Sequence, residues 1–310
     1  MSPPSLTPNN PVELTAYSVR SCVAPASGRS SPGALGVPQF RTSQCSIESC
    51  VPEGPQYREA SDPMRIHTIE THKITLKDQN LFAILDTYVS AFDERTVLAI
   101  TSKIVSICEG RVVKIGTVEK RTLIAQEADD FLPAALNKYH TTLTIKQGML
   151  IPTAGIDESN GDGYYILWPR DPQQTANAVR AYLQQRFSRT HVGVIITDSK
   201  TTPLRVGVTG VALAYSGFQA LNDYVGTKDL FGRALRMTRV NVVDALATAA
   251  VLVMGEGSEQ TPLAVIGELP FVTFQEREPS PAEVQQLRIA VEDDIYGPLL
   301  TSVQWHKGQR

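Results

Sequence analysis

The sequence predicts a mixed α/β fold of α+β character, on three observations. Two short, wholly apolar runs, Thr96-Val-Leu-Ala-Ile100 and His191-Val-Gly-Val-Ile-Ile-Thr197, have the length and β-branched content of strands buried on both faces. Between and after them lie segments with helical periodicity. These segments do not alternate with the strands in a clean repeating βαβ order, so a simple doubly wound sheet is not expected.

The first helix is placed by Leu81, Ile84, Leu85, Tyr88 and Phe92, which fall on one face. Asp171 followed by Pro172 is an N-cap and N1 pair for a second, presenting Val179, Tyr182, Leu183 and Phe187. Asn241 caps a third, with Leu246, Ala249, Ala250 and Val253 on its inner face and Gly255 as its stop. Ser280-Pro-Ala-Glu283 is a capping box opening a last helix that shows Val284, Leu287 and Val291.

Residues 1 to about 63 differ in kind. They are rich in Pro, Ser and Gly, as in Pro25-Ala-Ser-Gly-Arg-Ser-Ser-Pro32, without sustained hydrophobic period, and read as a disordered leader. Scattered Arg and few acids suit an organelle transit peptide, but an amphipathic helix is missing, and Met64 as the true start explains the break as simply. The domain expectation is a leader over 1–63 and a catalytic domain over 64–310.

Composition narrows the function. With 310 residues, 42% hydrophobic and 20% charged, the chain can bury a large core. A net charge of -3, with no Lys/Arg stripe interleaved with aromatics, argues against nucleic acid. Apolar runs break well short of the ~20 residues a spanning helix requires, so no membrane is expected and the cytoplasm is the expected location. Three of the four cysteines, Cys22, Cys45 and Cys50, lie in the leader and Cys108 stands alone, so neither a disulfide framework nor a zinc site is expected.

Chemistry is sought in the polar clusters. Ile151-Pro-Thr-Ala-Gly-Ile-Asp-Glu-Ser-Asn-Gly-Asp-Gly163 sets Asp157, Glu158 and Asn160 among glycines. It is either a loop offering oxygen donors to a divalent cation or a tight hairpin turn; its spacing excludes an EF-hand. Asp198 and Ser199 follow an apolar strand, where a carboxylate and hydroxyl can hold Mg²⁺ or Mn²⁺ or simply cap a helix. Lys200 stands where a dehalogenase-type phosphatase needs its second aspartate. Arg205-Val-Gly-Val-Thr-Gly210 permits close backbone approach but is no phosphate loop, and neither a Walker pattern nor G-x-S-x-G occurs in the chain. In Gly255-Glu256-Gly257-Ser258-Glu259 the glycines serve as a helix stop, or Glu256 joins a carboxylate cluster with Asp157 and Asp198.

The order of these pieces resembles the coenzyme F420-0:γ-glutamyl ligase family, especially its branch of folate-metabolism γ-glutamate ligases. The likeness runs from about Arg65 to Phe274. It rests on Thr101-Ser-Lys-Ile-Val-Ser-Ile-Cys-Glu-Gly-Arg111, Ala154-Gly-Ile-Asp-Glu-Ser-Asn160, Thr197-Asp-Ser199 with Arg205-x-Gly207, Asp223-Tyr-x-Gly226 with Asp229, Gly232 and Arg233, and Val253-Met-Gly-Glu-Gly-Ser-Glu-x-Thr-Pro262.

The resemblance implies a fold without a P-loop, an intertwined homodimer, and nucleotide sites near the subunit boundary. It implies two Mg²⁺ or Mn²⁺ ions, one on Asp157 and Asp198 and one on Ser199 and Glu256, with K⁺ as a further cation. GTP or ATP would be contacted by Asn160 and by Met254, Gly255, Gly257 and Ser258, with Lys73, Ile74, Ser102 and Lys103 lining the other side.

Two departures from the family pattern stand out. Ile107-Cys108 replaces Lys-Ala, and Ser199 replaces Thr. The first removes a phosphate contact and matches the folate-like branch. The implied reaction joins L-glutamate to a folate-type acceptor through an acyl phosphate, with Lys103 and Arg205 as stabilisers of anionic oxygens or, more plainly, as surface ion-pair partners. The same chemistry on the F420 precursor, a metal-dependent nucleotide phosphohydrolase and a non-catalytic nucleotide-binding module are the rivals.

Overall fold

The computed structural model describes residues 63–309. The leader expected over residues 1–63, with Cys22, Cys45 and Cys50, lies outside them apart from its last residue.

The chain enters through strand β1 (Arg65–Ile69) and reaches helix α1 (Leu81–Tyr88), where Asn80 accepts the Phe82 and Ala83 amides at 3.0 and 3.3 Å. The helix stops at Tyr88, one turn before Phe92, which is buried all the same. Strand β2 (Thr96–Thr101) runs without a connecting loop into α2 (Ser102–Cys108). A peripheral layer follows: β3 (Val112–Lys114), α3 (Lys120–Glu127), β4 (Asp130–Leu132), β5 (Leu143–Lys146), β6 (Met149–Pro152) and β7 (Tyr164–Ile166).

Helix α4 (Pro172–Phe187) starts as expected, with Asp171 accepting the Gln174 amide at 2.9 Å. Strand β8 (Val192–Thr201) and strand β9 (Val208–Ser216) form a long hairpin, followed by β10 (Leu221–Asp223) and β11 (Arg239–Asn241). Asn241 caps α5 (Val242–Met254), and β12 (Leu263–Gly267), α6 (Pro281–Gln285), α7 (Gly297–Leu300) and β13 (His306–Lys307) complete the chain.

The central sheet has the order β1-β12-β2-β8-β9. Only β2 and β8 are parallel, in register from Thr96↔Val192 to Thr101↔Thr197. Alternation in β2 explains its unbroken apolar run. Leu98 and Ile100 face α1, α2 and α4, whereas Val97 and Ala99 face α5, so both surfaces are covered. Smaller antiparallel sheets, β13-β4-β5-β6 and β3-β7, stand beside it. A third core, built on Leu123, Ile124, Ala154 and Tyr165, serves this peripheral layer.

Three local expectations are corrected. Strand β8 does not end at Asp198 but continues to Thr201, because β9 keeps pairing with it beyond a register shift at Ile196/Thr197. The inner face of α5 carries Val243, Leu246, Ala247, Ala250 and Met254, while Val253 is 45% exposed; the helix is rotated from the face expected. The capping box at Ser280 and Glu283 forms, but α6 ends at Gln285. Val284 and Leu287 are the side chains that reach the core there, so further turns would bury little.

Within Arg205–Gly210 it is Gly210 that serves packing, while Gly207 faces open space. A Cβ on Gly210 would lie 2.4 Å from the Ala247 carbonyl oxygen, so β9 and α5 approach backbone to backbone. Replacing Gly210 with Val must push α5 off the sheet and should destabilise the protein by about 1–3 kcal/mol or more. Urea denaturation would show this as a lowered midpoint; an unchanged midpoint would contradict the close approach.

Candidate active site

The parallel pair places the carboxyl ends of β2 and β8 side by side, and the polar side chains that follow them open into a cavity of about 490 Å³. Its floor is Thr101, Lys103, Thr197, Asp198 and Ser199. One wall is the loop around Asp157 and Asn160, another is the segment from Met254 to Pro262, and a third is 71–75. Backbone hydrogen bonds hold the walls in place: the Thr71 amide donates to the Gln260 carbonyl at 2.9 Å and the Thr101 amide to the Pro262 carbonyl at 3.0 Å.

The loop after β6 closes a turn, as its Asn-Gly and Asp-Gly steps allowed: Asp157 bridges backbone to backbone with Ile166, and Tyr164 closes onto Gly161. Asp157, Asn160 and Asp162 line the cavity, whereas Glu158, expected beside them, turns away and pairs with Lys120 at 2.8 Å. The Asn160 amide donates to the Gly257 carbonyl at 2.9 Å, tying this loop to the segment after α5. That segment is held in turn by Glu259, whose carboxylate accepts the Gly257 amide at 2.8 Å.

Asp198 is fixed from two sides. Its Oδ2 accepts the Trp168 indole N–H at 2.5 Å, and its Oδ1 accepts the Ser199 amide at 2.9 Å. Trp168 is itself immobilised. A Cβ on Gly155 would lie 2.0 Å from the indole nitrogen, so the Gly155 backbone, at φ +68°, passes directly over the ring. The Lys146 ammonium lies 5.1 Å from a ring centroid of the same indole and 2.9 Å from Glu127. Although burial pushes Glu127 upward, Lys146 and Arg111 hold its carboxyl below the usual range.

Charge is unbalanced in the cavity. Five lining side chains are carboxylic acids, Asp157, Asp162, Asp198, Glu256 and Glu259, against two lysines, Lys73 and Lys103. Burial, with the nearby Asp157 carboxylate adding to it, pushes Asp198 up to about 7 despite its hydrogen bonds from Ser199 and Trp168. Burial also raises Glu256, with Asp157 and Glu259 adding repulsion. Ser199 Oγ donates to Glu256 at 3.5 Å, and Lys103 Nζ pairs with Asp157 Oδ2 at 2.9 Å.

Among the described residues no three His, Cys, Asp or Glu side chains stand in a ready-made ligand set. The donor chemistry nonetheless fits a hard divalent cation, since Asp157, Asp198, Ser199 and Glu256 are oxygen donors whose mutual repulsion a cation would relieve.

Of the residues expected from sequence, Lys73, Ile74, Lys103, Asp157, Asn160, Asp198, Ser199, Met254, Gly255, Glu256, Gly257 and Ser258 line this cavity. Ser102 and Arg205 do not. Ser102 is buried in the first turn of α2, and Arg205 is exposed in the turn that joins β8 to β9, its amide bonded to the Thr202 carbonyl at 3.2 Å. Glu259 stood in the recognised Gly255–Glu259 run without a role of its own; its carboxylate in fact holds the Gly257 amide. The sequence reading missed Trp168, whose role depends on a partner 30 residues away.

The model of the F420-0:Gamma-glutamyl ligase family matches residues 68–268, which carry every wall of the cavity and all of the central sheet except the start of β1. The chain belongs to this family, whose members are amide-forming ligases. A Methanopyrus kandleri protein named coenzyme F420:L-glutamate ligase is 37% identical over 191 residues, 56% of this chain and 75% of that relative. A Methanococcus maripaludis C7 protein of the same name is 35% identical over 199 residues, 64% and 79% of the two chains. One from Methanothermobacter thermautotrophicus is 42% identical over 127 residues, 41% and 50% respectively.

The raised Asp198 carboxyl gives a pH prediction for the cation-free protein. Between about pH 4 and 7 the folded state binds the proton more tightly than the unfolded chain, so stability contributed by this group is present at low pH and lost as pH rises through 7. Asp198→Asn should therefore melt above the wild type at pH 8, by on the order of 1–3 kcal/mol of stability, and level with it only below about pH 4, where the unfolded carboxyl is protonated as well. Thermal melts at the two pH values check this; a variant less stable at pH 8 would contradict the account.

Proposed function

We propose that the chain is a nucleotide- and divalent-metal-dependent ligase that joins L-glutamate to an F420-type acceptor. The observation that carries this reading is the charge of the cavity. A nucleotide triphosphate could not enter a space lined by five carboxylic acids and two lysines without accompanying cations, and oxygen donors to hold them are already in place.

The relatives' name supports an F420-type acceptor. A folate-type acceptor is the second reading, favoured by Ile107, which lines the cavity where F420 ligases generally carry lysine. Among the described residues no helix is long and apolar enough to cross a membrane, and the reading places the enzyme in the cytoplasm.

Joining two free ions into an amide is uphill in water, so the acceptor carboxylate must first acquire a leaving group. Transfer of the γ-phosphoryl of GTP or ATP makes an acyl phosphate and releases the diphosphate. The glutamate amine then attacks the acyl carbon, a C–N bond forms, the C–O bond to phosphate breaks, and the amine gives up a proton. Two Mg²⁺ or Mn²⁺ ions, with K⁺ as a further cation, would neutralise phosphate charge in this sequence.

The protein's own part is positional. Asp157, Asp198, Ser199 and Glu256 hold the cations, and Trp168 keeps Asp198 aimed. Lys103 stabilises anionic oxygens, and Asn160 holds the Gly255–Ser258 segment to the opposite loop. Arg205 lies too far into solvent to share that role in one chain.

The enzyme on this reading is a homodimer. Leu204, Val206, Leu230 and Phe231 are 95% exposed or more, and Met237 and Leu252 at least 80%, leaving apolar side chains that a second copy would cover. Sedimentation equilibrium should return twice the chain mass, and a Leu230→Glu/Phe231→Glu variant should return the monomer mass; a monomeric wild type would defeat this part.

For the reaction, purified protein is incubated with labelled glutamate, Mg²⁺ or Mn²⁺, GTP or ATP, and F420-0 beside tetrahydrofolate. A mass gain of one glutamate on F420-0 is expected, with Asp157→Asn and Asp198→Asn each reducing it at least about 100-fold, the size of losing an essential electrostatic contact. Gain on tetrahydrofolate alone would select the second reading. Nucleotide consumption without glutamate dependence would mark a phosphohydrolase instead.

A further inference from the structure

The lysine in the cavity floor is already engaged. Lys103 Nζ lies 2.9 Å from Asp157 Oδ2 and 3.3 Å from Ser159 Oγ. Among the described residues this is the ion pair in which both partners line the cavity. Asp157 is also one of the four oxygen donors assigned above to the cations. An ammonium seated on a carboxylate uses the lone pairs and the charge that a divalent ion needs, and repels that ion at short range. The two cannot be full partners of Asp157 at once.

Lys103 has somewhere else to go. Its four-carbon stem and three rotatable donors let the charge swing while the backbone stays fixed at the start of α2. A polyphosphate entering the cavity offers it anionic oxygens, and Asp157 is then released. Nothing comparable holds the second lysine on Asp157, since Lys73 stands on the 71–75 wall.

We propose that Lys103 is an exchange counterion. It occupies Asp157 in the nucleotide-free protein and transfers to phosphate when the nucleotide arrives, so that nucleotide and divalent cation bind with positive coupling and neither accumulates alone. By linkage the coupling is reciprocal: the cation that takes Asp157 also frees Lys103 for phosphate. The role is one of positioning, and it rests on the metal-dependent reading above.

The test is a titration of nucleotide-free, full-length protein with Mn²⁺, reading free Mn²⁺ by electron paramagnetic resonance. Wild type, Lys103→Met, Lys103→Arg, Lys73→Met and Asp157→Asn are compared, each first shown to be folded by circular dichroism. Lys103→Met should bind Mn²⁺ at least fivefold more tightly than wild type, and Lys103→Arg should stay as weak as wild type. Lys73→Met, which removes the same charge from another wall, should change the affinity less than twofold, and Asp157→Asn should abolish the gain when combined with Lys103→Met.

Equal tightening in Lys103→Met and Lys73→Met would reduce the effect to general charge and overturn the exchange. Unchanged Mn²⁺ affinity in Lys103→Met would overturn it while leaving the metal site standing. Absence of Mn²⁺ binding in every variant would remove the metal-dependent reading itself, and the exchange with it.

Discussion

The parallel pairing of β2 with β8, in a sheet otherwise antiparallel, is the constraint on which the rest of the molecule depends. It lays Thr101 beside Thr197 and so delivers Ser102–Lys103 and Asp198–Ser199 to one edge of the sheet. Had the two strands been antiparallel, those segments would lie at opposite ends. The pairing is secured from both faces, by Leu98, Ile100, Val194 and Ile196 against α1 and α4 and by Val97, Ala99 and Ile195 against α5. Burial on both faces also explains why the strands are nearly devoid of polar residues until the cavity is reached.

The cavity works against the stability of the fold that carries it. Asp198 is held in a site that favours its neutral form, Asp157 repels both it and Glu256, and Glu259 adds to the repulsion on Glu256, so the charged, ligand-free state is strained electrostatically. What keeps the arrangement in place is the layer behind it. Gly155 lets its backbone pass over Trp168, Lys146 stacks on the same indole, and Glu127 balances Lys146. A cation-bound polyanion would relieve the repulsion in front while leaving this support unchanged. On the proposed reading, coupling between the two ligands would follow from the site itself rather than from an added device.

Much of this was legible in the sequence because local signals were strong. Asn241, Asp171-Pro172 and Ser280–Glu283 cap helices where expected, and the two apolar runs are the two parallel strands. Of the site, the loops announced themselves by packing acids and amides among glycines. The failures have physical causes. Continuation of β8 past Asp198 depends on β9, which supplies a partner that no local pattern reveals, and α5 is rotated by what it packs against. Trp168 reads as an ordinary core aromatic until its indole nitrogen is seen on Asp198. Arg205 and Ser102 were carried by their neighbours in the motifs, yet one points to solvent and the other is buried. Family resemblance supplied the reaction, which neither composition nor periodicity encodes.

The central claim is that the carboxyl ends of β2 and β8 hold the cations that accompany a nucleotide. Crystals grown with Mn²⁺ and a non-hydrolysable GTP analogue, measured at the manganese absorption edge, address it directly. The account predicts anomalous peaks within ligand distance of Asp157, Asp198, Ser199 and Glu256, with phosphate density between them and Lys103. Manganese and phosphate bound elsewhere on the molecule, with Lys103 still paired to Asp157, would contradict it.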